Sequence, residues 1–364
     1  METKPQLHKK IKHHAKQHWL TVAFVLGFIF DNLTLTRVDR LFDNIVLSSY
    51  VLIAMLSIIM LYASIAERFY ENVNIFFKRW APIIMQYAFG GLLSGMLIFF
   101  GRSGSLLNSW PFLLMILSVI YGNETIKNRQ SRLVYNITIF FIGLFAYMIL
   151  IVPVVLGKMG PSIFLMSGGL TLFIMYTFFH IIEKIVPNFI QLQKRNVVFI
   201  IGLIYVMMNF LYFANIIPPI PLSLKEMGVY HAVALDKTSG IYTLTYEKPA
   251  WWKWYLKADD IFHYTEGESV FCYSSVFAPS RLAVEVFHRW EYYDDTKQMW
   301  KTYAYIPYAI QGGRNEGYRG YSKITGYHEG VWRCTVETAR GQVIGKETFT
   351  IASGVRAKLV TRTE

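Results

Sequence analysis

The residues of this chain that could do chemistry fall into a few groups. The run "GGRNEGYRGYS", residues 312 to 322, joins glycines to Arg314, Tyr318, Arg319 and Tyr321. Arginine offers a planar fork of donors and tyrosine a stacking face, so these four suit an anionic or glycan ligand. The run lacks the lysine followed by Ser/Thr and a helix that a phosphate-binding loop has. Gly312, Gly313, Gly317 and Gly320 equally suit turns and bulges between strands. "PAWWKWYL" breaks strand alternation, which predicts that at least one of Trp251, Trp252 and Trp254 is exposed, as a stacking face or in a membrane interface.

The chain's two cysteines, Cys272 and Cys334, are too far apart in sequence for a C-x-x-C redox or zinc motif. On adjoining or facing strands they would form either a disulfide or two buried thiols. His288 shares a strand face with Val284, Val286 and Trp290, which predicts a core histidine bonded to backbone. His8, His13, His14 and His18 are interleaved with lysines that would repel a cation, so the arm is read as a basic segment on anionic lipid and not as a metal site. His180 and Glu183 share a helix face but have no further ligand partners, so they form a polar pair.

"FDNLTLTRVDRLFDN", residues 30 to 44, is the most polar stretch at the edge of an apolar run. A carboxylate within a membrane is expensive, so Asp31, with Arg37 and Asp39, is the candidate for a proton or cation relay; the alternative is an ion-pair cluster at the outer face. No nucleophile elbow, H-E-x-x-H or Walker pattern occurs, and no catalytic residue, metal or cofactor is assigned.

These groups must be positioned by two very different halves. Of the 364 residues 54% are hydrophobic and 16% charged, against about 25% charged in soluble proteins. Apolar runs near the roughly 20 residues that span a bilayer recur between 20 and 217 and then stop. They predict seven helices, at 19–36, 45–66, 81–101, 104–122, 133–156, 162–182 and 196–217. Gly91 and Gly95 in the third form a helix-packing GxxxG.

The net charge of +12 lies mostly in this half: 18 Lys/Arg against 8 Asp/Glu up to 217, and 18 against 16 beyond it. Alternate connections carry 14 Lys/Arg on one side and 4 on the other. The basic side is cytoplasmic by the positive-inside rule, which places the N-terminus inside and the C-terminal part outside. That placement removes nucleic acid as a partner.

Beyond Pro218, Pro219 and Pro221 the periodicity changes to two. In "VWRCTVE" Trp332, Cys334 and Val336 face one way, the mark of a half-buried strand. Similar runs at 240–246, 268–277, 282–293, 299–310 and 342–351 predict an all-β, immunoglobulin-like antiparallel sandwich. The expected order is a basic cytoplasmic arm (1–18), a seven-span membrane helical bundle (19–217), a proline-rich linker (218–228) and an extracytoplasmic sandwich (229–364).

The stretches "VFHRWEYYD" (286–294), "GGRNEGYRGYSK" (312–323) and "GVWRCTVETARGQVIGKETFTI" (330–351) resemble the domain of unknown function 2914 (DUF2914). "GFIFDNLTLTRVD" and "NIIPPIPLSLKEMGVY" are similar to segments of its membrane-bound members. The resemblance, over about 282–351, implies a bacterial protein with membrane spans before a β-rich module, and implies no activity. Cys334 stands where the family pattern has valine. The expected protein is a multi-pass inner-membrane protein showing a periplasmic binding module to an envelope glycan, anionic polymer or envelope protein, with the lipid bilayer as its other partner. The alternative is a transporter or channel with an accessory β-domain.

Overall fold

The computed structural model describes residues 28–104, 106–125, 132–236, 238–253, 257–314 and 316–364. The basic arm with its four histidines, the start of the first apolar run and Trp254 lie outside them. The chain forms two compact units, one of Met1–Phe99, Leu113–Val152 and Phe164–Asn209, the other of Phe100–Phe112, Pro153–Ile163 and Phe210–Glu364.

After a helical stretch at 28–34 come α1 (Leu41–Ile65), α2 (Glu71–Arg102), α3 (Leu106–Thr125), α4 (Leu133–Leu156), α5 (Pro161–Ile185) and α6 (Pro187–Phe213). Among the described residues five helices, α1, α2, α4, α5 and α6, are long and apolar enough to cross a membrane. The first apolar run is described only from residue 28, and α3 carries Asn108, Ser109, Pro111, Asn123 and Glu124. A Cβ on Gly91 would lie 2.5 Å from the Tyr50 ring, and one on Gly95 2.6 Å from Leu47. The GxxxG thus lets α2 pack closely on α1. Polar side chains bond across helices here, Ser48 with Tyr147 at 2.6 Å and Asn136 with Tyr62 at 2.9 Å.

The second unit holds eleven strands: β1 (Ser223–Tyr230), β2 (Ala232–Leu235), β3 (Tyr242–Glu247), β4 (Ile261–His263), β5 (Val270–Phe277), β6 (Ala283–Asp294), β7 (Met299–Gln311), β8 (Tyr318–Ile324), β9 (Gly330–Thr338), β10 (Val343–Ala352) and β11 (Leu359–Thr363). They form sheets of order β1-β5-β8, β4-β10-β9-β6-β7 and β11-β3-β2. Pairing is antiparallel except between β4 and β10.

The first two sheets share a core. Val229, Val270, Cys272 and Ile324 from one meet Trp290, Trp332, Cys334 and Phe349 from the other. A disulfide joins Cys272 of β5 to Cys334 of β9 across this core. The third sheet covers the opposite face of β1 and β5, where Tyr230, Tyr273, Tyr242 and Leu244 cluster. Strand β5 is therefore buried on both faces and loses the alternation of a half-buried strand.

Strand β1 starts at Ser223, inside the segment expected to be a linker. Ile217, Ile220 and Leu222 before it are buried, because this stretch packs into the unit and does not cross solvent as a free arm. Met159 packs on the core around Leu222 and Val276. A Cβ on Gly157 would lie 2.7 Å from the Arg281 carbonyl, and the nearest atom to one on Gly104 is Pro218 Cβ at 3.1 Å. The α2–α3 and α4–α5 connections thus belong to the same compact unit as the strands.

Candidate functional site

Strand β11 organises the surface with most chemical potential. Its ladder with β3 continues through Glu364, whose N–H donates to the Tyr242 carbonyl at 2.9 Å. Val360, Arg362 and Glu364 are two residues apart and so share one face. Val360 lines an open cleft of about 410 Å³ with Tyr246, Lys248, Pro249, Ala250, Trp251, Lys253 and Lys257. Glu364 lines a second, of about 320 Å³, with Lys225, Glu226, Ser275, Glu316 and Arg319.

Arg362 lies between Val360 and Glu364 on that strand face. It pairs with Glu226, donates to the Tyr230 hydroxyl at 2.7 Å, and lies 5.5 Å from the Tyr246 ring centre. Glu226 also takes Lys257 at 3.2 Å. Burial and the Glu226 carboxylate push the Glu364 carboxyl above its usual range.

The loop after β3 carries the two tryptophans. Trp251 is 85% exposed and Trp252 60%, with their rings edge to face. Lys253 fastens the loop by pairing with Asp259 at 2.8 Å and with Asp260.

The glycine-arginine run behaves differently from a projecting quartet. A Cβ on Gly312 would sit 1.7 Å from the Pro279 carbonyl oxygen, and Gly317 has φ +92° with Ser275 Oγ 2.5 Å from its Cβ position. Both positions require glycine. Residues from Tyr318 onward form β8 and not a turn. Tyr318 points to the core side, packed against Val276 and its neighbours. Arg319 and Tyr321 alternate to the other face, where Arg319 lines the second cleft and pairs with Glu316 at 2.5 Å. Arg314 stacks 5.4 Å from the Tyr318 ring.

His288 is fully buried. Its Nε2 lies 2.8 Å from Ser274 Oγ and its Nδ1 2.9 Å from Ser322 Oγ, so its partners are hydroxyls and not backbone. Tyr308 and the Trp290 indole complete the network. Burial brings His288 down to about 3, so the ring is neutral. One of its ring nitrogens lies within 4.8 Å of Cys272 and Cys334 Sγ, but both sulfurs are spent on the disulfide. A Ser–His contact sealed in this way has no access to a substrate.

A second buried histidine was not singled out by sequence. His231 places Nδ1 2.9 Å from Glu268 and Nε2 3.1 Å from Glu247. Glu247 also bonds His263 Nδ1 at 2.8 Å and accepts the backbone N–H of His263 and of Ala357. Arg356 pairs with Glu268. Burial pushes Glu247 up, but the His263 and Ala357 bonds outweigh it and hold the carboxyl below its usual range; Glu268 is likewise held low, against burial, by Thr265 and His231. These residues are scattered from 231 to 357 with no spacing that could have revealed them.

In the helical unit Asp31 lies within electrostatic reach of Ser94 and Tyr50. Arg37 is committed to Asp39 through bonds of 3.0 and 2.8 Å. Asp43 is buried and accepts the backbone N–H of Thr36 and Arg37, closing the loop before α1. Glu183 takes Lys194 at 2.7 Å with His180 at 4.0 Å, a polar pair among the described residues.

Fold and site together define a protein with several apolar helices followed by a β-rich, disulfide-bonded module. Residues 284–351 match the profile of the family described as "Protein of unknown function (DUF2914)", which places that family's module at the C-terminal end. No curated protein matches the chain. Among solved structures, Pseudomonas fluorescens alkylpurine DNA glycosylase AlkC, bound to DNA containing an abasic site analog, aligns over 87% of this chain and 99% of its own at 8% identity. Its TM-score of 0.19 carries no argument about fold or function.

Proposed function

We propose that this chain is a multi-pass protein of a bacterial inner membrane that displays an immunoglobulin-like β-sandwich in the periplasm as a binding module. The observation that carries this reading is the buried Cys272–Cys334 disulfide, a bond that persists in oxidising compartments. Two further features support it. The connections around residues 102 and 158 share a compact unit with the strands, and they are the connections poor in Lys/Arg. The seven spans expected from the sequence are an odd number, which puts the two ends of the chain on opposite sides. The site is the pair of clefts along β11, concave and lined by exposed aromatic and charged side chains.

Paired reporter fusions after Glu364, one active only outside the cytoplasm and one only inside, test the reading. External activity alone is expected; internal activity alone overturns it. A second reading, transport through the helices, draws on Asp31 beside Ser94 and Tyr50. Solute or ion flux unchanged in Asp31→Asn removes that support.

A further inference from the structure

We infer that the groove along β11 binds an acidic saccharide, with its anionic group at the Trp251 end. This deepens, and rests on, the reading of the β-module as a binding module. The two clefts lie over one strand face. Val360 and Glu364 are four residues apart, about 14 Å at the rise of an extended strand. A shallow track of that length fits a chain of sugar rings better than a compact molecule, which calls for an enclosed pocket.

The lining differs from end to end. Among the described residues, the ionisable side chains on the first cleft, tyrosine aside, are lysines: Lys248, Lys253 and Lys257. Lys253 and Lys257 are held in place by Asp259, Asp260 and Glu226, whereas Lys248 meets no acidic partner among the described residues. Beside these ammonium groups stands Trp251, 85% exposed, with Tyr246 also on the lining. A flat ring next to a cation offers a stacking face for the C–H side of a sugar and a counter-charge for its carboxylate or phosphate.

The second cleft mixes Lys225 and Arg319 with Glu226, Glu316, Glu364 and Ser275. Alternating donors and acceptors suit neutral hydroxyls, which do both. The same carboxylates disfavour an anionic bilayer surface, which would otherwise attract a tryptophan-lysine loop. Each end of the groove therefore selects a different part of one ligand.

The test uses the full chain in nanodiscs of neutral lipid, with an oligomer of galacturonic acid as the probe. A neutral glucose oligomer, polyglutamate and phosphatidylglycerol vesicles serve as comparisons. Titration calorimetry should show saturable binding of the galacturonate oligomer that weakens with salt. Trp251→Ala and Lys248→Gln, both at exposed positions, should each weaken it about tenfold, as for residues that carry an interface. Lys297→Gln, exposed between β6 and β7 and on the lining of neither cleft, should leave it unchanged.

Absence of saturable galacturonate binding overturns the assignment. So does equal binding of polyglutamate or of the vesicles, or binding indifferent to Trp251→Ala. An external β-module that ignores the saccharide sinks the ligand and leaves the binding-module reading; a β-module found inside the cytoplasm sinks both.

Discussion

Two buried histidines mark two regions of the β-module, and their surroundings give them opposite chemistry. His288 sits between the main sheets, with the hydroxyls of Ser274 and Ser322 as the partners of its two nitrogens. His231 sits at the seam with the third sheet, bracketed by Glu247 and Glu268. A hydroxyl can donate or accept, so a neutral ring satisfies the first site in either tautomer. A carboxylate only accepts, so the partners at His231 leave no such freedom of direction. Burial alone does not decide what a histidine does; the acceptors around it do.

The largest effects should come from the core region. Loss of the disulfide in Cys272→Ala/Cys334→Ala should cost about 3–4 kcal/mol, read as a fall in Tm of the full chain by calorimetry. His288→Ala leaves a cavity and strips partners from Ser274 and Ser322, and should cost about 3 kcal/mol on the same assay. Equal tolerance of His288→Ala and of an exposed substitution such as Trp252→Ala would dissolve the claim that the network supports the core.

At the seam, Glu247→Ala removes the acceptor for His231, His263 and two backbone N–H groups, and should cost about 2–3 kcal/mol in denaturant melts. The two regions also separate by pH. His288 ordinarily titrates near 6.5 and is brought down to about 3 by burial. Below 6.5 the unfolded chain gains a proton that the folded ring refuses, so stability falls progressively as the pH is lowered towards 3. Glu247 and Glu268 are held below their ordinary 4.5, so their contribution is complete above that value and is lost only at lower pH. His288→Gln should therefore flatten the stability curve between pH 6.5 and 4.5, leaving the steeper loss below it. An unchanged curve would contradict the neutral assignment.

The smallest effect is a gain. Burial first, and Asp260 second, push the Glu347 carboxyl up to about 7. Its stability contribution is lost as the pH rises from 4.5 through 7, because the unfolded chain releases the proton more readily. Glu347→Gln should stabilise the protein by about 1–2 kcal/mol above pH 7 and leave it nearly unchanged below pH 4.5, measured by the same melts.

Much of this architecture is legible in the amino-acid order, for reasons of period. Apolar runs mark the helices, and alternation in "VWRCTVE" puts Cys334 on the inner face, where the disulfide is found. Gly312 and Gly317 can be read as turn positions because only glycine tolerates such approach. The rest depends on long-range pairing that leaves no local trace. β11 joins β3 across more than a hundred residues, β5 hides its alternation because both faces are covered, and β8 starts inside a stretch that looks like a turn. The seam around His231 draws single residues from five segments. Of the β11 groove Trp251 announces itself because strand alternation fails there, and Arg319 through the glycine-arginine run; the other lining residues carry no local mark.

The central claim is that the β-module works outside the cytoplasm, and the state of its two cysteines tests this most directly. Thiols are blocked in intact cells with a membrane-permeant alkylating agent under denaturing quench, the protein is purified and reduced, and newly exposed thiols are counted by mass. The account predicts that Cys272 and Cys334 escape the first reagent and appear only after reduction. Both cysteines alkylated at the first step would place the module in a reducing compartment and contradict it.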